Sequence, residues 1–394
     1  MVKFLVYLLG YVIYPFSFLM PRNGKVWAFG SYRGGFGDNA KYLYLYVCTH
    51  YPQIKAVWIS PNRKTVKAVR ALGYSARFIG SPAGLWTALR AKYWFFNAYT
   101  SDILFFASGG AVCVNLWHGV GLKKIEFCVE DGPLRKRYVE KRFWERFYYP
   151  QVFRRPDYLL SSTEFQSVKF AQAFRIPVAR CLNLGYPRNR ILTMPDAERR
   201  QFVARYEPVA TGELIAKASA YRKVYIYMPT WRDSQKQLFT QVLDLEALNK
   251  EMERQQALFI LKPHPNTVVD ASLLRPFSHI LCMDRVVDVY TVLPYTDVLI
   301  TDYSSILYDY ILMDGKAVIL YLYDYEKYVK DRDFNYPFSE NVAGTQVHSF
   351  TQLLQCLADV PQAVPEAELL PIRKKFWGEG RGDVCRDLID KVIR

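Results

Sequence analysis

Short, uniformly apolar segments recur along the whole chain, and stretches with a helical pattern separate them. Strands that are apolar on both faces are typical of a parallel sheet that helices cover on both sides. The predicted strands of the first half are residues 26–30, 55–60, 76–80, 93–99, 111–117 and 157–162. Those of the second half are residues 223–229, 257–263, 279–283, 297–302 and 317–323. The alternation therefore predicts an α/β protein with two doubly wound units.

Chain length agrees with two domains, because 394 residues exceed what one hydrophobic core usually holds. A polar, helical stretch with few aromatic residues, 195–222, is the candidate linker. We expect an apolar N-terminal segment (1–21), a first domain (22–200) and a second domain (201–394). In open α/β sheets ligands bind beyond the carboxyl ends of the strands, so polar residues just after the apolar segments are the candidate site residues.

The amino-acid composition indicates an anionic partner but does not identify its class. The chain carries 52 Lys and Arg against 37 Asp and Glu, which gives a net charge of +15. Such a surface attracts polyanions, whether nucleic acid, anionic lipid headgroups or phosphorylated substrates. The seven cysteines are widely spaced and form no CxxC pair. This spacing predicts reduced thiols, with neither a disulfide framework nor a zinc site.

Two segments suggest contact with a membrane. Residues 4–20 carry no charge, but they are short for a span, include Pro15 and contain tyrosines that suit the interface. We expect a monotopic contact there; a helix packed on the domain and a true span are the alternatives. Residues 135–155 interleave cations with aromatic residues, which suits an anionic membrane surface. The alternative is a solvated helix whose aromatic side faces the core. No nucleic-acid-binding signature accompanies the segment, so we expect no nucleic acid partner.

A histidine lies where the apolar segment 111–117 ends. His118 precedes Gly119, and Lys123 and Lys124 follow shortly after. An imidazole at the tip of a buried strand can act as a general base near neutral pH, and the glycine lets a substrate approach the backbone. A lone histidine is more often structural, so this pattern alone leaves both interpretations open.

Three segments of the second half place polar residues after apolar ones. Lys262 and His264 lie among prolines, and a cation beside a fixed imidazole suits a phosphate group. Thr230 and Arg232 follow another apolar segment, and Arg232 could grip a phosphate. The stretch TDYSS supplies polar side chains at a predicted helix start, which could form an anion site. Its candidate residues are Thr301, Asp302, Ser304 and Ser305. Each segment also has a purely structural interpretation. Lys262 and His264 could lie at a strand that prolines end, Arg232 could form a structural ion pair, and TDYSS could be an ordinary N-cap.

Several common motifs are absent from the sequence. It has no GxGxxG after a strand, no GxxxxGK[ST], no GxSxG and no HExxH. Dinucleotide-dependent oxidoreductases, P-loop NTPases, serine hydrolases and zincins therefore lose support. The glycine-rich stretch 31–38 lacks such spacing, and we interpret it as a loop near the acceptor. Asp331 and Asp333 resemble a paired-carboxylate metal motif of some glycosyltransferases, but the match is short and we predict no metal ligand.

Four segments in this order resemble the CDP-glycerol glycerophosphotransferase family, whose enzymes build glycerol phosphate units of teichoic acids and some capsules. They are WHG with LKK downstream, PTWRD, KPHP and TDYSSILYDY, and DRDFNYPF (331–338) is similar to a later segment of that family. The resemblance covers most of the chain. It implies a GT-B architecture, in which two Rossmann-like domains face a central cleft and the C-terminal domain holds most of the donor.

The chain departs from the family pattern at one turn. The family usually has Thr and Pro after WHG, where this chain has Val120 and Gly121. A hydroxyl that could contact the acceptor or a phosphate is lost, and His118 is retained. The chain also lacks a long N-terminal extension, so we expect it to resemble the primases that add the first unit more than the larger polymerases.

The resemblance implies a reaction in which an acceptor hydroxyl attacks the β-phosphorus of CDP-glycerol and CMP leaves. In such a reaction the protein accelerates transfer mainly by positioning the reactants and neutralising their charge. His118 is the expected base, and His264 is the expected donor to the phosphate or leaving group. The expected substrate-binding residues are Gly119, Lys123, Thr230, Arg232, Lys262, Thr301, Asp302, Ser304 and Ser305. We expect no cofactor and no need for a divalent ion.

The resemblance also implies the partners. They are CDP-glycerol as donor, a lipid-linked saccharide or a glycerol phosphate polymer as acceptor, and an anionic membrane surface on the cytoplasmic side. A GT-B glycosyltransferase that uses a nucleotide sugar, or a polymerase of the same family, is the alternative. A polyanion-binding protein without activity would explain the net charge of +15 but not two histidines at strand ends.

Overall fold

The computed structural model describes residues 2–130, 132, 134–230, 241–263, 271–331, 334–379 and 382–393. The chain divides into two compact units. Unit 1 contains residues 1–188 and 377–394, and unit 2 contains residues 189–376. The sequence-based boundary was 200/201, with the whole C-terminus in the second domain, whereas the final segment of the chain returns to unit 1.

Polar and aromatic contacts tie the C-terminal segment to unit 1. The hydroxyl of Tyr46 donates a hydrogen bond to Asp383 Oδ2 at 2.7 Å. The rings of Tyr186 and Trp377 meet edge to face, with centroids 5.8 Å apart. These partners are far apart along the chain, and sequence periodicity does not report contacts of this kind.

A parallel sheet forms the centre of unit 1. Its strands, in chain order, are β1 (Asn23–Phe29), β2 (Lys55–Ser60), β3 (Ala76–Phe78), β4 (Ala91–Phe96), β5 (Val112–Asn115), β6 (Tyr158–Ser161) and β7 (Cys181–Asn183). They lie in the order β3-β2-β1-β4-β5-β6-β7, and all neighbours are parallel. The six strands predicted for the first half are confirmed. The seventh, β7, was not predicted because it has only three residues and ends in polar Asn183.

Unit 2 contains a second parallel sheet. Its strands are β8 (Lys223–Met228), β9 (Ala257–Leu261), β10 (Ile280–Cys282), β11 (Val298–Thr301), β12 (Ala317–Tyr321) and β13 (Thr345–Val347). Their order is β10-β9-β8-β11-β12-β13, again with parallel neighbours. The five predicted strands of the second half are confirmed, and the short, polar β13 was missed. The prediction of an α/β protein with two doubly wound units is therefore correct.

Helices connect the strands in both units. They are α1 (Val2–Ser17), α2 (Asp38–His50), α3 (Arg63–Ala71), α4 (Pro82–Arg90), α5 (Arg135–Tyr138), α6 (Phe143–Tyr148), α7 (Glu164–Phe174), α8 (Arg190–Thr193), α9 (Asp196–Tyr206), α10 (Val209–Ala218), α11 (Leu245–Gln255), α12 (Val289–Val292), α13 (Ile306–Tyr310), α14 (Tyr325–Asp331), α15 (Phe350–Ala358), α16 (Glu366–Trp377) and α17 (Val384–Ile393). Side chains of Asn62, Ser81 and Thr163 cap the starts of α3, α4 and α7 by accepting backbone N–H groups. The stretch 195–222 is helical, as expected, and forms α9 and α10, but it belongs to unit 2 and is not a linker between the units.

Aromatic side chains cover both faces of the sheet in unit 1. Trp58 is fully buried, and its ring lies 5.6 Å from that of Tyr44 on α2. Its neighbours Val57 and Ile59 alternate to the opposite face, where they join a cluster with Trp94. Burial on both faces explains why these strands read as continuous apolar runs instead of alternating ones.

The N-terminal helix α1 lies against unit 1 with one side and exposes the other. Tyr11 donates its hydroxyl hydrogen to the Phe147 carbonyl at 2.9 Å, and its ring lies 5.4 Å from that of Phe106. Ser17 Oγ accepts the Gly109 backbone N–H at 2.9 Å. The outward residues Leu5, Leu9, Val12 and Phe16 are each more than half exposed. Within the described part of the chain, no helix is both long enough and apolar enough to cross a membrane.

Candidate active site

The turn after β5 presents His118 at the carboxyl end of the sheet in unit 1. The turn begins with Trp117 at φ +51° and ends with Gly119 at φ +129°, a value that favours glycine. Asn115 Oδ1 accepts the Trp117 backbone N–H at 2.9 Å, and Asn39 Nδ2 donates to the Trp117 carbonyl at 2.9 Å. The His118 side chain itself is exposed. The backbone around the imidazole is therefore fixed, while the ring is open to a reactant.

One nitrogen of the His118 ring has a partner. Nδ1 lies 3.3 Å from the Asn97 carbonyl oxygen. A carbonyl only accepts, so Nδ1 carries the hydrogen in this bond and Nε2 has the free lone pair. The Trp117 ring lies 4.1 Å from the imidazole centroid. This tautomer is the one that a base acting through Nε2 requires.

The surroundings of His118 shift its pKa. Protein atoms crowd the ring even though solvent reaches it, and this desolvation lowers the pKa of His118 below 6.5. Asp38 and the Asn97 carbonyl act in the opposite direction, and Arg188 adds to the lowering. The lowered pKa favours the neutral imidazole at pH 7, which is the form that can accept a proton.

Two charged residues from elsewhere in unit 1 join this turn. Arg188 Nη1 lies 2.6 Å from Asp38 Oδ1, and Arg188 Nη2 donates to the His118 carbonyl at 2.9 Å. Asn39 Oδ1 accepts the Arg188 backbone N–H at 3.2 Å. The start of α2 and the residues after β7 therefore meet at the histidine turn.

The residues after His118 are well packed. The Gly119 carbonyl accepts the hydroxyl hydrogen of Tyr186 at 3.0 Å. Gly121 donates its backbone N–H to Oε1 of the buried Gln166 at 2.9 Å. Lys123 is half-buried. Gly119 directly follows His118, and Lys123 lies five residues after it in the chain.

In unit 2, residues at the ends of β8 and β11 hold one turn together. Asp302 is 1% exposed, and its Oδ1 accepts both the Thr230 backbone N–H at 2.9 Å and the Thr230 hydroxyl at 2.6 Å. Thr301 donates its hydroxyl hydrogen to the Met228 carbonyl at 2.7 Å. These strands are neighbours at the point where the strand order reverses, which is where doubly wound sheets bind ligands. The contacts of Thr301 and Asp302 are those of residues that shape the turn.

Lys262, Ser304 and Ser305 lie at the same edge of the sheet in unit 2. Lys262 follows β9, and its Nζ donates to the Pro263 carbonyl at 3.2 Å. Burial lowers the pKa of Lys262, while Cys282 and Asp288 act to raise it. Ser304 Oγ accepts the Ile306 backbone N–H at 3.4 Å, and the Ser305 side chain makes no capping bond to α13. All three side chains are half-buried.

Other predicted site residues lie outside the described residues. They are His264, Arg232 and the remainder of the KPHP and PTWRD segments beyond Pro263 and Thr230, together with Arg332 and Asp333. Among the described residues, no three His, Cys, Asp or Glu side chains converge as ligands for a metal ion.

Sequence reasoning missed three residues of the His118 surroundings. Asn97 follows β4 directly, so the rule that selects polar residues after strands could have identified it. It was instead counted within the predicted strand 93–99. Arg188 follows β7, a strand that was not predicted, and Asp38 was interpreted as the last residue of a loop near the acceptor, without a role of its own. A polar side chain directly after a strand was therefore an available signal for Asn97, but not for Asp38 or Arg188.

The chain is similar in sequence to known proteins. A family model described as CDP-glycerol:poly(glycerophosphate) glycerophosphotransferase matches residues 12–379. The teichoic acid poly(glycerol phosphate) polymerase of Staphylococcus epidermidis is 27% identical over 393 residues, which cover 94% of this chain and 51% of the relative. The teichoic acid glycerol-phosphate transferase of Staphylococcus aureus is 25% identical over 368 residues, which cover 88% and 86%. The chain therefore spans about half the length of the first relative.

The fold is shared with a solved structure. The wall teichoic acid polymerase TagF superposes with a TM-score of 0.76 at 23% identity, over 100% of this chain and 97% of that one. At this identity the likeness concerns the fold alone. It agrees with the two parallel-sheet units and confirms the expected GT-B-type class.

Proposed function

The chain belongs to the CDP-glycerol:poly(glycerophosphate) glycerophosphotransferase family, and from this premise we propose that it transfers glycerol phosphate from CDP-glycerol to an acceptor hydroxyl in teichoic acid synthesis. The proposal rests mainly on the position and surroundings of His118. Its backbone is fixed at a strand end, Nδ1 is paired with the Asn97 carbonyl, and the ring is exposed. A neutral imidazole held in this way is suited to accept a proton through Nε2.

In the proposed reaction the acceptor oxygen attacks the β-phosphorus of CDP-glycerol. A new O–P bond forms, the bond from that phosphorus to the bridging oxygen of the diphosphate breaks, and CMP leaves. His118 Nε2 takes the proton of the acceptor hydroxyl. Because phosphoryl transfer needs little covalent chemistry from the protein, positioning and neutralisation of charge supply most of the rate.

Unit 2 is the proposed holder of the donor. Lys262, Ser304 and Ser305 follow β9 and β11, on either side of β8, and can meet the diphosphate with one ammonium and two hydroxyl groups. An anionic ligand beside Lys262 opposes the lowering of its pKa by burial. We assign Arg232 to the same cradle and His264 to the phosphate or leaving group, on the sequence resemblance alone.

The acceptor is proposed to be membrane-linked, either a saccharide or a growing glycerol phosphate polymer. Two candidate membrane segments meet in unit 1: Phe147 of α6 packs on Tyr7 and Tyr11 of α1. Phe143 and Trp144 of α6 are more than half exposed, next to the exposed Arg142. Apolar side chains beside cations suit peripheral contact with anionic lipid. We propose this contact at the cytoplasmic face of the membrane.

A transfer assay tests the proposed function. The purified chain is incubated with radiolabelled CDP-glycerol and a lipid-linked disaccharide, and a parallel reaction contains labelled UDP-sugars. We expect label from CDP-glycerol in the lipid product and none from UDP-sugars. The reverse result would support a nucleotide-sugar transferase of the same fold. The size of the product distinguishes one addition from many.

The assignment of Arg232 to the donor has its own test. A guanidinium that grips the diphosphate acts already in the ground state, so Arg232→Ala should weaken CDP-glycerol binding more than His118→Ala does. Calorimetry measures both affinities. Equal donor affinity in the wild type and in Arg232→Ala would remove Arg232 from the cradle.

A further inference from the structure

Arg188 bridges the histidine turn and the start of α2 with its two terminal nitrogens. Nη2 donates to the His118 carbonyl at 2.9 Å, and Nη1 pairs with Asp38 Oδ1 at 2.6 Å. The Arg188 side chain is 5% exposed and that of Asp38 is 27% exposed. Because water screens a nearly buried pair less, the attraction between Arg188 and Asp38 is stronger than that within an exposed ion pair.

Asn39 holds the same turn from a second direction. Its Oδ1 accepts the Arg188 backbone N–H at 3.2 Å, and its Nδ2 donates to the Trp117 carbonyl at 2.9 Å. Asp38 Oδ1 in turn accepts the Asn39 backbone N–H at 2.8 Å. The peptide groups on both sides of His118 are therefore held by residues of α2 and by the segment after β7.

The charged groups that act on the His118 ring belong to this arrangement. Asp38 favours the protonated imidazole, and Arg188 disfavours it. The other two contacts described for the ring, the Asn97 carbonyl at Nδ1 and the Trp117 ring, are uncharged. When a base takes a proton, a nearby carboxylate stabilises the positive charge that develops on it.

We propose that the Asp38–Arg188 pair positions His118, with Arg188 fixing the main chain of the turn and Asp38 stabilising the charge that the imidazole acquires. Neither residue touches the reacting atoms in this scheme, so both are positioning residues. The inference rests on the proposed function, because it takes His118 as the base. It adds two residues that lie outside the WHG segment and 150 positions apart in the chain.

Asp38→Asn tests the electrostatic half of the proposal. The protein has five histidines, and the loss of a signal in His118→Gln identifies the His118 resonance in ¹³C-histidine NMR spectra. Removing the carboxylate should lower the pKa of His118 and move the acid limb of the kcat/KM profile to lower pH. Asp383→Asn is the matched control, since Asp383 pairs with Tyr46 and should leave the titration unchanged.

The proposed effect of Asp38 on the charged imidazole would be overturned if the pKa of His118 is unchanged in folded Asp38→Asn. It would also be overturned if the Asp383→Asn control shifts that pKa equally. If Asp38→Asn does not fold, Arg188→Gln removes the cation that disfavours the protonated imidazole and should raise the pKa of His118. An unchanged pKa of His118 in that folded variant would count against the proposal.

Arg188→Lys tests the geometric half. A lysine retains the charge but lacks the planar fork that reaches Asp38 and the His118 carbonyl together. We expect kcat to fall roughly 10- to 100-fold, as for a modest misplacement of a catalytic group, with CDP-glycerol affinity unchanged. Normal kcat in the folded variant would overturn this half. The NMR titration needs no activity, so it tests the pair even if His118→Ala retains turnover and the proposed function fails.

Discussion

Gly121 donates its backbone N–H to Oε1 of Gln166 at 2.9 Å, and Gln166 is completely buried. The related family usually has proline at this position, and proline has no N–H to donate. A Cβ on residue 121 would also lie 2.8 Å from Phe170 Cε1. In this chain the glycine therefore serves both a hydrogen bond and close packing against α7.

Replacing Gly121 should separate these two contributions. Gly121→Ala meets Phe170 and should lower the free energy of unfolding by about 1–3 kcal/mol. Gly121→Pro also removes the N–H that donates to the buried Gln166 oxygen and should lower the free energy of unfolding by about 1–3 kcal/mol more. Denaturant unfolding measures both, and Gly24→Ala, with open space at its Cβ, is the control. In a Gln166→Leu background the difference between proline and alanine should shrink; an undiminished difference would show that the hydrogen bond contributes nothing.

The buried Asp302 in unit 2 gives a second prediction. Its carboxylate accepts the Thr230 hydroxyl at 2.6 Å, so Thr230→Val removes one charge-assisted hydrogen bond. The free energy of unfolding should fall by about 1.5–3 kcal/mol, and CDP-glycerol affinity should fall because Thr230 leads into Arg232. Thr230→Ser retains the hydroxyl and should behave like the wild type in both measurements. Wild-type affinity in Thr230→Val would separate this turn from donor binding.

The strands of both units could be predicted from the sequence because burial on both faces leaves continuous apolar runs. The same signal fails for β7 and β13, which have three residues each and include polar Asn183 or Thr345 and Gln346. The return of the C-terminal segment to unit 1 depends on contacts such as that between Tyr46 and Asp383, which leave no periodic pattern.

Candidate site residues could be predicted from the sequence where a polar or charged side chain directly follows a predicted strand. The sequence selects His118, Thr230 and Lys262 in this way. It does not select Asp38 and Arg188, because they are brought together only where α2 meets the segment after an unpredicted strand. Asp302 is buried and accepts hydrogen bonds from Thr230, and its place among the substrate-binding residues stays a prediction.

Asp102 should make stability depend on pH. Burial raises its pKa from 3.8 to about 7, although its carboxylate accepts the backbone N–H groups of Asn97 and Ala98. The folded protein therefore binds this proton more tightly than the unfolded chain does. The resulting stability is fully present below about pH 4 and is lost as the pH rises through about 7.

Asp102→Asn should remove this dependence. Relative to the wild type, the free energy of unfolding of the variant should rise between pH 5 and pH 8, as measured by denaturant unfolding at each pH. The comparison is made as a difference because other groups also titrate in this range. A difference that stays constant with pH would mean that Asp102 is ionised in the folded protein throughout.

The exposed side of α1 gives a prediction for membrane contact. Leu5→Glu, Leu9→Glu and Val12→Glu combined should reduce binding to phosphatidylglycerol vesicles at least tenfold, because burial of each apolar side chain contributes about 1.5–3 kcal/mol. Thermal stability should change little, since these residues are more than half exposed. Val209→Glu, at an exposed position in unit 2, is the control. High salt should release only part of the wild-type protein. If the wild type does not prefer vesicles to buffer at low ionic strength, the membrane model is wrong.

In the proposed mechanism His118 takes the proton of the acceptor hydroxyl, and single-turnover transfer by His118→Ala measures the step that depends on it. With CDP-glycerol and acceptor bound, the rate should fall by roughly 10² to 10⁴, the usual contribution of a general base. CDP-glycerol affinity, measured by calorimetry on the same folded sample, should stay close to that of the wild type. A near-normal transfer rate in the folded variant would show that His118 is not the base that takes the acceptor proton.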